Sequence, residues 1–152
     1  MIQFFIQIAF GSTFLLASAL VHVAVFAFGI PRLARLADQM QPARHIFRTV
    51  MLMSAGIALL IVAHTITIWF WAAGFYGSGA FSDFATSFYF STITYTTLGY
   101  GDIVLDPDAR IFGSFAAITG LLTFGLSTAF LVGLLVRILP DVFQQDQNNN
   151  IT

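Results

Sequence analysis

Three long apolar runs, each close to free of charge, leave this chain few ways to fold. They cover residues 4–28, 49–73 and 111–139. At 1.5 Å per residue, a helical run of about 25 residues crosses a hydrocarbon core of roughly 30 Å with some tilt. Inside that core every backbone polar group must find its partner within the protein, so the expected fold is all-α with three transmembrane helices. Composition points the same way: 58% of the residues are hydrophobic and 9% charged, where a soluble domain carries about a quarter charged residues.

The boundaries follow from local signals. Residues 1–30 read as an additional N-terminal transmembrane helix, with Gly29 and Pro31 as its stop. No Lys or Arg precedes this run, and it is too long for the apolar part of a signal peptide. It is therefore expected to be retained, although Leu16, Ala17, Ser18 and Ala19 imitate a cleavage site. Residues 31–48 form a basic loop, with Arg32, Arg35, Arg44 and Arg48 against Asp38, able to place an amphipathic turn or two at the interface. An outer helix over 49–73 carries Trp69 and Trp71 where an aromatic belt belongs, and Gly74, Gly77 and Gly79 then break it. An inner helix covers 111–139, and 140–152 is a short polar tail. Because arginines crowd the first loop while Asp83, Asp102, Asp106 and Asp108 lie in the second, the positive-inside rule puts the N-terminus outside and the C-terminus in the cytoplasm.

Several functions are excluded by what is missing. The net charge is -1 and the chain has no lysine, so nucleic acid has no electrostatic footing. There is no cysteine for a disulfide or thiolate site. No catalytic constellation is present, and neither an enzyme nor an organic cofactor is expected.

The polar residues gather instead in one place. A short helical stretch over 82–95, capped by Ser82 or Asp83, is too short to span and has to enter the membrane and stop partway. Its C-terminal end directs the negative end of the helix dipole inward, which favours a cation. Then come Thr96, Thr97, Leu98, Gly99, Tyr100, Gly101 and Asp102. Glycine tolerates backbone angles that let consecutive carbonyls face one way, an arrangement useful in a membrane only around something positive.

Thr97-Leu98-Gly99-Tyr100-Gly101-Asp102 resembles the selectivity-filter signature of the potassium channel family, and residues 82–133 resemble its pore helix, filter and inner helix. The resemblance implies a homotetrameric pore in the cell membrane, with lipids as its surroundings. It implies K+ sites formed by Thr97, Leu98, Gly99 and Tyr100 within a filter that extends to Gly101, and filter support from Asp102, Thr96, Tyr95 and Thr94. By the same similarity Gly120, Leu121, Phe124, Thr128, Val132, Leu135 and Val136 are candidates for the cavity and gate. Gly120 stands at the usual hinge position, with close helix packing as the alternative. Three departures stand out: Leu98 replaces a β-branched residue, Ile93 stands where some members have a glutamate, and Phe88, Tyr89 and Phe90 replace pore-helix tryptophans. The implied function is passage of K+ down its gradient. A weakly selective cation channel and a non-conducting membrane subunit are the alternatives; a four-repeat uptake transporter does not fit one filter segment per chain.

Two expectations concern the first helix. It is expected to pack outside the outer helix, and its Arg32 and Arg35 do not make a classical voltage sensor, which needs a membrane-embedded series of arginines. His22 and His64 are the ionisable side chains deep in the first two runs. Counted from Gly29 and Arg48 their depths differ by roughly 14 Å, so they are expected not to pair. Each then reads as a neutral packing residue, with pH sensing as the alternative.

Overall fold

The computed structural model describes residues 1–39 and 45–138, and within them the chain is four helices without a strand. They are α1 (Ile2–Gln39), α2 (His45–Gly77), α3 (Phe84–Tyr95) and α4 (Arg110–Ile138). Three of them, α1, α2 and α4, are long and apolar enough to cross a membrane. Arg44, Leu139, Pro140 and the polar tail lie outside the described residues.

The first helix departs from expectation in length. Its 38 residues run through Gly29 and Pro31 without interruption, so the separate basic loop expected over 31–48 is largely helix. Proline removes one backbone donor but fixes a helical φ, and a packed neighbour can tolerate the defect. The neighbour here is α2: Gly29 has no side chain, and Leu59 fills the space where one would stand. At 1.5 Å per residue α1 extends roughly 57 Å, well beyond the hydrocarbon core. The outer helix likewise begins before Thr49 and continues through Gly74 to Gly77.

Side-chain packing divides the interior in two. At one end Trp71, Phe75, Phe90, Ile93, Tyr95, Leu105, Phe112 and Ala116 form an aromatic-rich core shared by α2, α3 and α4. Phe14 of α1 joins it through tilted contacts with Trp71 and Phe70 and an edge contact with Phe112. Trp71 is fully buried there, whereas Trp69 is exposed. Only Trp69 is placed for the expected belt, because residues two apart on a helix point to nearly opposite faces. Toward the other end Phe26, Leu60 and Ala63 pack with Phe130, whose ring stacks on Phe26.

The first helix does more than lie outside α2. It packs against both α2 and α4, and Gln7 reaches the start of α4, where its Oε1 accepts hydrogen bonds from the backbone N–H groups of Ile111 (3.0 Å) and Phe112 (3.4 Å). Helix starts leave unpaired N–H groups. A side chain from another helix satisfies them here.

Candidate functional site

The short helix α3 positions the polar segment that follows it. Asp83 is its N-cap: the extended backbone at Asp83 lets Oδ1 accept from Thr86 N at 2.8 Å. That hydrogen bond, reinforced by the local backbone, holds the Asp83 carboxyl below its usual range. Ser91 Oγ donates to the carbonyl of Ile68 at 2.8 Å, locking α3 to α2. The C-terminal turn ends at Thr96, whose N–H and hydroxyl both donate to the Thr92 carbonyl.

Beyond Thr96 the backbone changes hand repeatedly. Thr97 (φ 59°), Gly99 (φ 52°) and Gly101 (φ 78°) are all left-handed, while Leu98 and Tyr100 between them are not. Two of the three left-handed positions are glycines, which accept this conformation freely. Thr97 is β-branched and bears a strain of about 1–3 kcal/mol for it. Two backbone bonds hold the bend against α3: Thr97 N–H donates to the Thr94 carbonyl (2.9 Å) and Gly99 N–H to the Ile93 carbonyl (3.0 Å). Residues 96–102 are exposed in the single chain, Leu98 and Tyr100 included.

A family model described as "Ion channel" matches residues 56–137, more than half of the chain. This chain belongs to the ion channel family. Among curated relatives, the A-type voltage-gated potassium channel KCND3 of Rattus norvegicus is 35% identical over 89 residues, 58% of this chain. KCND3 of Homo sapiens matches to the same extent. The chain spans 13% of the length of these relatives. No solved structure matches it. Membership of a family of channels leaves no place for an enzymatic reading and makes the chain an integral membrane protein.

With the ion channel family in view, the expected support residues prove to be arranged differently from one another. Asp102 is held by Tyr89, whose phenol donates to Oδ2 at 2.7 Å. The bond to that carboxylate pushes the Tyr89 phenol above its usual range. Tyr89 was legible only as a substitute for a pore-helix tryptophan. Thr94 and Thr96 act through local bonds at the end of α3. Tyr95 turns the other way, into the helix bundle, where its fully buried hydroxyl meets Thr123 Oγ1 (2.6 Å) and His64 Nδ1 (2.7 Å).

The cavity candidates separate in the same manner. Leu121, Phe124, Thr128 and Val132 are exposed and recur at spacings of three and four, so they share one face of α4. Leu135 is half-buried and Val136 exposed. Gly120 is not on that face. It is buried, and the carbonyl of Tyr95 sits where its Cβ would be.

The two histidines overturn the expectation that they stay apart. Their ring centroids are 5.0 Å apart. Ser127 Oγ lies between them, 3.0 Å from His64 Nε2 and 3.4 Å from His22 Nε2. The physical reason is the extra length of α1. Measured from where the two helices end and begin, His22 is 17 residues before Gln39 and His64 is 19 after His45, a difference of about 3 Å in height.

Proposed function

We propose that this chain is the subunit of a potassium-selective channel in which four copies surround one axis and K+ passes down its electrochemical gradient. The observation that carries the reading is the alternating backbone hand at Thr97, Gly99 and Gly101. Residues of alternating hand turn successive carbonyls to one side of the strand, whereas an ordinary strand alternates them. The carbonyls of Thr97, Leu98, Gly99 and Tyr100, with the Thr97 hydroxyl, then replace the hydration shell of K+, and neighbouring sites let ions leave as well as enter.

One chain supplies one side of such a ring, and a closed ring requires rotational symmetry. The exposure of Leu98 and Tyr100 in the single chain supports this, since apolar and aromatic side chains of that size would be covered by adjoining copies. In this arrangement α3 is a re-entrant pore helix aiming its negative dipole end at the ion path. The face of α4 bearing Leu121, Phe124, Thr128 and Val132 lines the cavity. The N-terminus and the C-terminus lie on opposite sides of the membrane, with the C-terminus cytoplasmic. The potassium channel named among the relatives supports the choice of ion.

The test is single-channel recording of the purified chain in planar bilayers with K+ on one side and Na+ on the other. A reversal potential near the K+ equilibrium value is expected. A value near that of Na+, a value between the two, or an absence of current overturns potassium selectivity.

A further inference from the structure

A line of polar side chains, buried except at the half-buried His64, joins all four helices and has no part in conduction as described. It begins at Thr67 Oγ1, which donates to the Ala63 carbonyl (2.9 Å) and faces His22 Nδ1 (3.4 Å). It continues from His22 Nε2 to Ser127 Oγ (3.4 Å) and from Ser127 to His64 Nε2 (3.0 Å). From His64 Nδ1 it passes to the Tyr95 hydroxyl (2.7 Å), then to Thr123 Oγ1 (2.6 Å), and ends on the Thr119 carbonyl (2.8 Å). His22, Thr67 and Tyr95 are fully buried.

Counting hydrogens along this line gives a definite shortage. The links are Thr67–Ala63, Thr67–His22, His22–Ser127, Ser127–His64, His64–Tyr95, Tyr95–Thr123 and Thr123–Thr119, seven in all when the one Thr123 hydrogen shared between the Thr119 and Gly120 carbonyls is counted once. With both imidazoles neutral, the hydrogens are one each from Thr67, His22, Ser127, His64, Tyr95 and Thr123, six in all. One link therefore lacks a hydrogen. One added proton completes the set: His22 donates from both nitrogens, Ser127 donates to His64, His64 to Tyr95, Tyr95 to Thr123 and Thr123 to Thr119. The two side-chain links at His22 are also the two long ones. A second proton is opposed, because it would set two imidazolium rings 5.0 Å apart with no negative charge between them, and the Ser127 hydrogen would lose its place in the line.

We infer that the His22–His64 pair is a binding site for a single proton, which ties the first helix to the pore helix end. The titratable groups facing the pair are limited. α1 contributes His22, α2 contributes His64, α3 contributes the Tyr95 phenol, and α4 contributes no titratable group but the hydroxyls of Ser127 and Thr123 and the Phe124 ring stacked on His64. Among the described residues no carboxylate or guanidinium is hydrogen-bonded to any of these. Tyr95 is the last residue of α3, two positions before Thr97. Occupancy of the pair is thus passed to the backbone that carries the filter segment, a step that rests on the channel reading, whereas the proton site itself does not.

The test uses the full chain in lipid bilayers, labelled with 15N-histidine on an H45Q background, and follows the ring nitrogen shifts from about pH 4 to pH 8. Uptake of one proton shared by both rings is expected, and S127A should separate them into independent titrations. Two protons taken up by the unaltered pair, or none, overturns the site. A parallel measurement of K+ efflux from vesicles should differ about fivefold or more across that range, and H22Q, which donates and accepts but takes no proton, should abolish the difference. Efflux with a pH dependence unchanged in H22Q overturns the coupling, and absence of efflux at every pH counts against the channel reading while the nitrogen shifts still decide the site.

Discussion

The carbonyl oxygen of Tyr95 occupies the space that a side chain at Gly120 would need. The end of α3 therefore rests on bare backbone of α4, and the two helices approach closely just before the left-handed turn at Thr97. A glycine that in sequence reads as a hinge or as a close-packing site is here the seat of α3. Gly120→Ala is expected to destabilise the protein by about 1–3 kcal/mol, since the colliding atom is backbone and has little freedom to move. Gly125→Ala, whose new methyl would meet no side chain or neighbouring helix within 4 Å, should cost less and gain helix propensity. Thermal unfolding of both variants in the same detergent checks the order.

Gln7 binds the start of α4 from a different helix. Gln7→Ala leaves the N–H groups of Ile111 and Phe112 without this acceptor. A loss of about 0.5–1.5 kcal/mol is expected. Hydrogen exchange at those two amides should accelerate while exchange in the middle of α2 stays unchanged.

The bond between Tyr89 and Asp102 ties the far end of residues 96–102 back to α3. Tyr89→Phe and Asp102→Asn should each shorten the time a conducting pore stays open, and the double variant should be no worse than either alone. The Tyr89 phenol is shifted upward by this bond. Its stabilising contribution is therefore fully present below the ordinary phenol value of 10.0 and is lost as pH rises through the higher folded value. Ultraviolet titration of wild type against Tyr89→Phe measures the shift; a phenol titrating at the ordinary value would contradict it.

Asp83 gives the opposite sign. Its folded value is depressed by the bond to Thr86, so the cap is fully effective above the ordinary value of 3.8 and is lost as pH falls through the lower folded value. Asp83→Ala should loosen the first turn of α3 at neutral pH, and Asp83→Asn should retain most of the cap. Protection of the Thr86 amide reports both.

Hydropathy along the chain was enough to determine three membrane-spanning helices, because the cost of unpaired backbone in hydrocarbon leaves a long apolar run no other structure. The order of residues from Thr97 to Asp102 was enough to suggest a channel, and the match over residues 56–137 places the chain in that family. Asp83 could be read as a cap because capping is local. Contacts between helices were beyond such reading. Whether α1 stops at Pro31 or passes through it depends on packing with α2, and that choice slides His22 along α2 until it meets His64. Trp71 belongs to the core and Trp69 to the surface for a similar reason, since only the neighbours of a helix decide which face is buried. The role of Gly120 also came from the tertiary structure, because the atom that requires a glycine there belongs to Tyr95, on another helix and 25 residues away.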